Sequence, residues 1–204
     1  MPDLPDEAFQ RTDSTPDEHF YQYPRFVAHI DDSAITEVTE LYREHIPANS
    51  TVLDLMSSWI SHLPEEVGYH EVHGLGMNRE ELAANRQLNH WVVQNLNENP
   101  VLPYDDNYFN AVTICVSVDY LTQPIHVFKE IYRVLKPGGV LIITFSNRCF
   151  PTKAIALWLR LDPRGQIALV QEYFNQSGSW TNMEALDRSK PGTDPLYAVI
   201  GKKK

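Results

Sequence analysis

The sequence predicts an α/β fold, a mostly parallel sheet with helices packed on both faces. Three observations carry that expectation. Apolar segments of strand length alternate with segments of helical period from residue 51 onward. Two of the strand-length segments, 111–118 and 140–145, are apolar nearly throughout, as strands buried on both faces are. Pro137-Gly138-Gly139 then separates a helical stretch from the second of these runs.

Each element has its own signal. Residues 1–24 hold three prolines before Pro24, many acids and no period, so they read as a mobile arm or an extended wrap. Ser33 stands where it can cap a helix whose apolar positions Ile35, Val38, Leu41, Tyr42 and Ile46 recur at helical spacing, and Pro47 stops it. A strand at 51–55, a helix-compatible stretch and a strand at 69–75 follow. Asn78, with Glu81 three residues on, opens another helix, and a short strand falls near 90–94. After the buried strand at 111–117, a helix over 124–136 turns Val127, Phe128, Ile131, Val134 and Leu135 inward. Two helical stretches, 152–161 and 163–174, precede strands at 180–186 and 196–201.

With 204 residues the chain is long enough for one domain with a sizeable core and too short for two. The expected organisation is an acidic arm or cap over 1–32 and a single domain over 33–204. Lys and Arg total 17 against 27 Asp and Glu, a net charge of −10, and the first fifty residues, with 11 acids and 3 bases, carry −8 of it. Without a basic stripe, neither nucleic acid nor an anionic membrane is an expected partner. No segment reads as a membrane span or a secretory leader. Cys115 and Cys149 show no CxxC spacing, which fits a reducing, cytoplasmic setting.

Two segments carry a family resemblance. Leu102-Pro103-Tyr104-Asp105-Asp106-Asn107-Tyr108-Phe109-Asn110-Ala111-Val112 resembles LPF-x-D-x-x-FD-x-V of the class I S-adenosylmethionine (SAM)-dependent methyltransferases of type 11. Glu130-Ile131-Tyr132-Arg133-Val134-Leu135-Lys136-Pro137-Gly138-Gly139 is similar to that family's E-h-x-R-V-L-K-P-G-G, where h is apolar. The resemblance spans about residues 51–146. It implies a Rossmann-like, seven-stranded sheet whose last strand is antiparallel, SAM across the carboxyl ends of the first strands, and S-adenosylhomocysteine as product.

The departures fall on ligand-facing positions. Where the family has h-h-D-h-G-x-G-x-G, this chain has Val52-Leu53-Asp54-Leu55-Met56-Ser57-Ser58-Trp59-Ile60, with every glycine gone. The acid that takes the ribose hydroxyls corresponds to Gly76, and the residue that receives the adenine amino group corresponds to Asn95. Asn78 is a ribose candidate whose plainer job is capping. The resemblance places Asp54, Met56, Ser57, Ser58, Gly76, Met77, Asn78, Asn95, Leu96, Ser117 and Tyr120 against the donor. Arg25 or Arg148 is a partner for its carboxylate.

Methyl transfer asks the protein to align donor and acceptor and to accommodate a sulfonium cation, for which Trp59, Tyr120 and Tyr23 offer aromatic faces. Asp119, just past the buried strand, is the candidate base, with His62 and His29 as further options. No HxxxH or HExxH occurs, and His70 and His73 point to opposite faces of a strand, so no metal is expected. The expected function is methyl transfer to a small molecule. The alternatives are a catalytically silent binding protein of the same fold and, more weakly, a nicotinamide dehydrogenase lacking G-x-G-x-x-G. Pro24 to Asp31 resembles substrate-cap sequences of the family, which makes the acidic segment either a solvated cap or a regulatory lid.

Overall fold

The computed structural model describes residues 5–204; the first four residues of the acidic arm lie outside the described residues. Seven strands form one sheet: β1 (Thr51–Leu55), β2 (Glu71–Gly76), β3 (His90–Val93), β4 (Phe109–Cys115), β5 (Leu135–Phe145), β6 (Trp180–Asp187) and β7 (Tyr197–Lys203). Their order is β3-β2-β1-β4-β5-β7-β6. The first five run parallel, and β7 lies antiparallel between β5 and β6. This is the Rossmann-like arrangement that the sequence predicts. Strand order reverses between β1 and β4, the switch point outside whose carboxyl ends α/β folds form their ligand crevice.

The strands divide their side chains between two cores. Leu53, Leu55, Ile114, Leu141 and Ile143 face one side, where Phe128 of α4 (Pro124–Val134) and Phe174 of α6 (Pro163–Ser177) cover them. Val52, Ala111, Val140 and Ile142 face the other, where Val38 and Leu41 of α2 (Asp32–His45) lie. Both sets are buried, so apolar residues at consecutive strand positions serve two layers at once.

Several boundaries differ from expectation for physical reasons. Asp31, not Ser33, caps α2: its Oδ1 accepts a 2.9 Å hydrogen bond from the Ala34 amide. α4 ends at Val134, β5 starts at Leu135, and Gly138 takes φ +77° within the strand's first turn, where a side chain would be strained. Only Ala156–Arg160 (α5) of the 152–161 stretch is helical.

The largest difference lies between β1 and β2, where the helix-compatible stretch forms no helix. Asp54 is buried at the end of β1, and its Oδ2 accepts from Ser57 Oγ (2.5 Å) and Ser61 Oγ (2.6 Å). Those bonds hold both serines against the sheet in place of a regular helix.

Residues 5–31 wrap the domain. A 3-10 turn at Asp6–Phe9 and α1 (Asp17–Tyr21) lie on it, with backbone bonds from Asp13 N to Thr152 O and from Ala156 N to Gln10 O. Among the described residues, no helix is long and apolar enough to cross a membrane.

Candidate functional site

A cavity of about 400 Å³ opens at the carboxyl ends of β1, β2 and β4, a size that suits a small organic ligand. Its first wall is the loop after β1. Met56 follows the strand with φ +59°, so it holds the left-handed conformation for which the family's first glycine is suited. Asp54 anchors the loop with its carboxyl pushed up to about 6 by burial, against the opposing hydrogen bonds from Ser57, Ser61 and Thr113. The serine hydroxyls are therefore engaged: Ser57 Oγ with Asp54, and Ser58 Oγ with Glu81 Oε2 at 2.6 Å. Met56 and Trp59 line the wall without filling the crevice.

Gly76 ends β2, and there the loop closes on it. Ser57 N donates to Leu75 O at 2.8 Å, and a Cβ on Gly76 would lie 2.1 Å from the Ser57 carbonyl oxygen. The glycine-free loop and an acid at position 76 are thus mutually exclusive, so two departures from the family pattern are one structural change.

Met77 and Asn78 continue the wall. Asn78 Oδ1 accepts from the amides of Glu80 and Glu81, capping α3 (Arg79–Ala84), while its Nδ2 donates to Tyr21 O at 2.8 Å. Asn95 and Leu96 follow β3 and line the cavity. Asn95 Oδ1 already accepts from the Asn97 amide, and its Nδ2 donates to Glu18 Oε1. Asn97 ties Asp17, Tyr120 O and the Thr122 amide together.

After β4, Val116 has φ +42°, a strained conformation for a β-branched residue, and presents Ser117 to the cavity. The buried Ser117 Oγ and His62 Nδ1 have no hydrogen-bond partner among the described residues. His62 also lines the cavity with φ +57°, and burial lowers its pKa to about 4, which keeps it neutral near pH 7. Asp119 does not line the cavity. Val118–Tyr120 form a 3-10 turn, which sends Tyr120 to the cavity and buries Asp119, whose carboxyl is pushed up to about 8 by desolvation.

The arm forms the roof. Arg25 N donates to Glu81 Oε1 at 2.6 Å, its guanidinium lies 4.5 Å from the Phe20 ring centroid and 5.4 Å from that of Phe150, and it forms no ion pair among the described residues. His29 lines the cavity beside Phe150, its pKa lowered by burial. Trp59 Nε1 donates to Val27 O. Arg148 is spent on Asp194 at 2.7 Å, and Tyr23 is 72% exposed and outside the lining.

Three participants escape sequence reasoning. Glu81 reads as a capping partner, yet it clasps loop and arm. Asp17 and Lys153 form the arm's buried anchor: Lys153, fully buried, sits 3.2 Å from both Asp13 and Asp17 and 2.8 Å from Thr15 O. A lone lysine before the apolar run Ala154-Ile155-Ala156-Leu157-Trp158 is the available signal.

The model of a family described as methyltransferase domain matches residues 41–143, half of the chain. The chain belongs to that methyltransferase family. A ubiquinone/menaquinone biosynthesis C-methyltransferase of Photorhabdus laumondii is 42% identical over 103 residues, 48% of this chain and 39% of that protein. The matches to the curated relatives span between about a fifth and two fifths of the relatives' lengths. Among solved structures, a SAM-dependent methyltransferase of Aquifex aeolicus superposes with a TM-score of 0.58 at 16% identity, covering 86% of this chain and 92% of that one. A complex of a Haloferax volcanii methyltransferase activator with a methyltransferase matches with a TM-score of 0.63 at 15% identity, covering 84% and 91%. These likenesses establish the methyltransferase fold. The altered Met56–Ile60 loop is this chain's variation on it.

Proposed function

We propose that this protein is a SAM-dependent methyltransferase acting on a small molecule. One observation carries the reading: a cavity of about 400 Å³ opens at the carboxyl ends of the first strands, where the family resemblance would put the donor, although both donor motifs have changed. Bound there, SAM supplies a methyl group on a sulfonium sulfur. The chain's own residues fit it at one end: the Arg25 guanidinium, which donates to Phe20 O and has no ion-pair partner among the described residues, suits a carboxylate, and the Ser117 hydroxyl, unpartnered among the described residues, suits an amine or a hydroxyl. Leu96 and Met77 offer apolar contact to a base. At the ribose end Gly76 holds no acid, and the Ser57 amide and the Gly76 carbonyl are already hydrogen-bonded, so a bound ribose would be held by other groups of the wall.

The remaining chemistry is positioning. Trp59, Tyr120 and Phe150 line the rim and suit a planar acceptor, and the quinone-pathway name of the Photorhabdus relative points the same way. Asp17, Tyr21, Arg25 and residues 27–30 of the arm line one side of the site, and the solvent they displace there favours displacement at carbon over side reactions. With a pKa near 4, His62 is too weak a base to remove a hydroxyl proton at neutral pH; it holds an acceptor hydroxyl in place by hydrogen bonding.

Calorimetric titration of the full chain with S-adenosylhomocysteine tests the reading. Saturable one-to-one binding at micromolar strength, about −8 kcal/mol, is the expected result. Absence of heat up to millimolar ligand, with the protein folded, sinks it.

A further inference from the structure

At the opposite end of β2 from the cavity, Glu71, His73 and His90 bring three potential metal-ligating atoms within 4.8 Å of one another. We propose that this cluster is a divalent-metal site, taking a borderline first-row ion such as Zn²⁺ or Co²⁺, that staples the edge strand β3 to β2. The backbone builds it. Glu71 and His73 are two residues apart on one strand and therefore share a face, and His90 is the register partner of His73 on the parallel neighbour. Two imidazoles and a carboxylate from such adjacent positions form a three-cornered donor set, with a fourth, outward position left for water.

Distances and surroundings fit. His73 Nε2 lies 3.0 Å from Glu71 Oε2, and His90 Nε2 lies 3.9 Å from Glu71 Oε1. Donor atoms around a tetrahedral ion bound at about 2.0–2.1 Å are roughly 3.3–3.4 Å apart, and the three here lie within 4.8 Å of one another, so side-chain shifts of up to roughly 1.5 Å close the site. His90, with its side chain 59% exposed, is free to make them. His73 is held in place by the edges of Tyr104, Tyr108 and Phe109, whose ring centroids stand 5.4–5.7 Å away. Tyr108 Oη donates to Glu71 Oε2 at 3.1 Å, an outer hydrogen bond of the kind that orients a ligating carboxylate. The mixed nitrogen and oxygen set favours borderline ions over Mg²⁺ or Ca²⁺. A staple has a task here: β3 is four residues long, pairs with β2 alone, and leads into the 94–97 segment of the cavity wall.

The test is titration of the chelator-stripped full chain with Co²⁺, read by visible d–d absorption, with Zn²⁺ as competitor and circular dichroism as the folding check. Expected are one equivalent bound, displacement by Zn²⁺, loss of the bands in His90→Ala and in Glu71→Gln, and no change in His126→Ala. Tyr108→Phe weakens binding by about tenfold. Wild-type protein without d–d bands at millimolar Co²⁺, or unchanged bands in folded His90→Ala, overturns the proposal.

Discussion

At Gly76 any side chain would meet the Ser57 carbonyl oxygen, which is fixed there by the Ser57 amide bond to Leu75 O. Restoring the family's acid should therefore do harm. Gly76→Asp is expected to cost about 1–3 kcal/mol of stability through overpacking and to leave donor affinity no better. Urea midpoints and a repeat of the S-adenosylhomocysteine titration check this, and a stable variant with tighter binding would refute the mutual exclusion. At this scale the positions were legible and the interactions were not. Residue types at 54, 56, 76 and 95 could be matched to the motif, but Met56 at φ +59° and Asp54 bound to two serine hydroxyls depend on backbone paths that no spacing encodes. Asp119 lies away from the cavity for the same reason, since a 3-10 turn instead of extended chain decides which of Asp119 and Tyr120 faces it.

Elements were more legible because apolar period is a property of the sequence itself. β1 and the buried strands β4 and β5 lie close to where their apolar runs predict, and Asn78 caps α3 as its spacing with Glu81 suggests. The arm was not, because its docking rests on polar pairs far apart in sequence. Desolvation would raise the Asp17 pKa, yet hydrogen bonds from Asn97 and Arg11, with Lys153 close by, outweigh it and hold the carboxyl below its ordinary value. Lys153→Met removes one charge from this buried set. Leaving Asp17 buried with less compensation is costly, so undocking the arm becomes the cheaper response. Tryptic cleavage after Arg11 and Arg25 should then speed up, roughly tenfold for each 1.4 kcal/mol of docking lost. Unchanged cleavage rates would show that the anchor does not hold the arm down.

Across the whole molecule, the carboxyls with shifted pKa values set opposing trends with pH. Asp13 and Asp17 are held below the ordinary carboxylate range, so their contribution is present above it and is lost on acidification through their folded values. Asp54 at about 6 and Asp119 at about 8 are raised by desolvation. Between the ordinary value of 3.8 and those values, the folded protein binds more protons than the unfolded chain, so stability falls as pH rises. Asp119 dominates that fall: its Oδ2 is buried without a partner among the described residues, whereas three hydroxyls compensate Asp54. Asp119→Asn keeps the shape and removes the ionisation. The variant should match wild type at about pH 3, where the carboxyl is protonated in folded and unfolded chain alike, and exceed it at about pH 8.5 by roughly a few kcal/mol in urea unfolding. Because Asp119 does not line the cavity, S-adenosylhomocysteine binding should survive the change. An equal stability difference at both pH values would mean that the carboxyl is solvated, and with it that the turn at Val118–Tyr120 faces the other way.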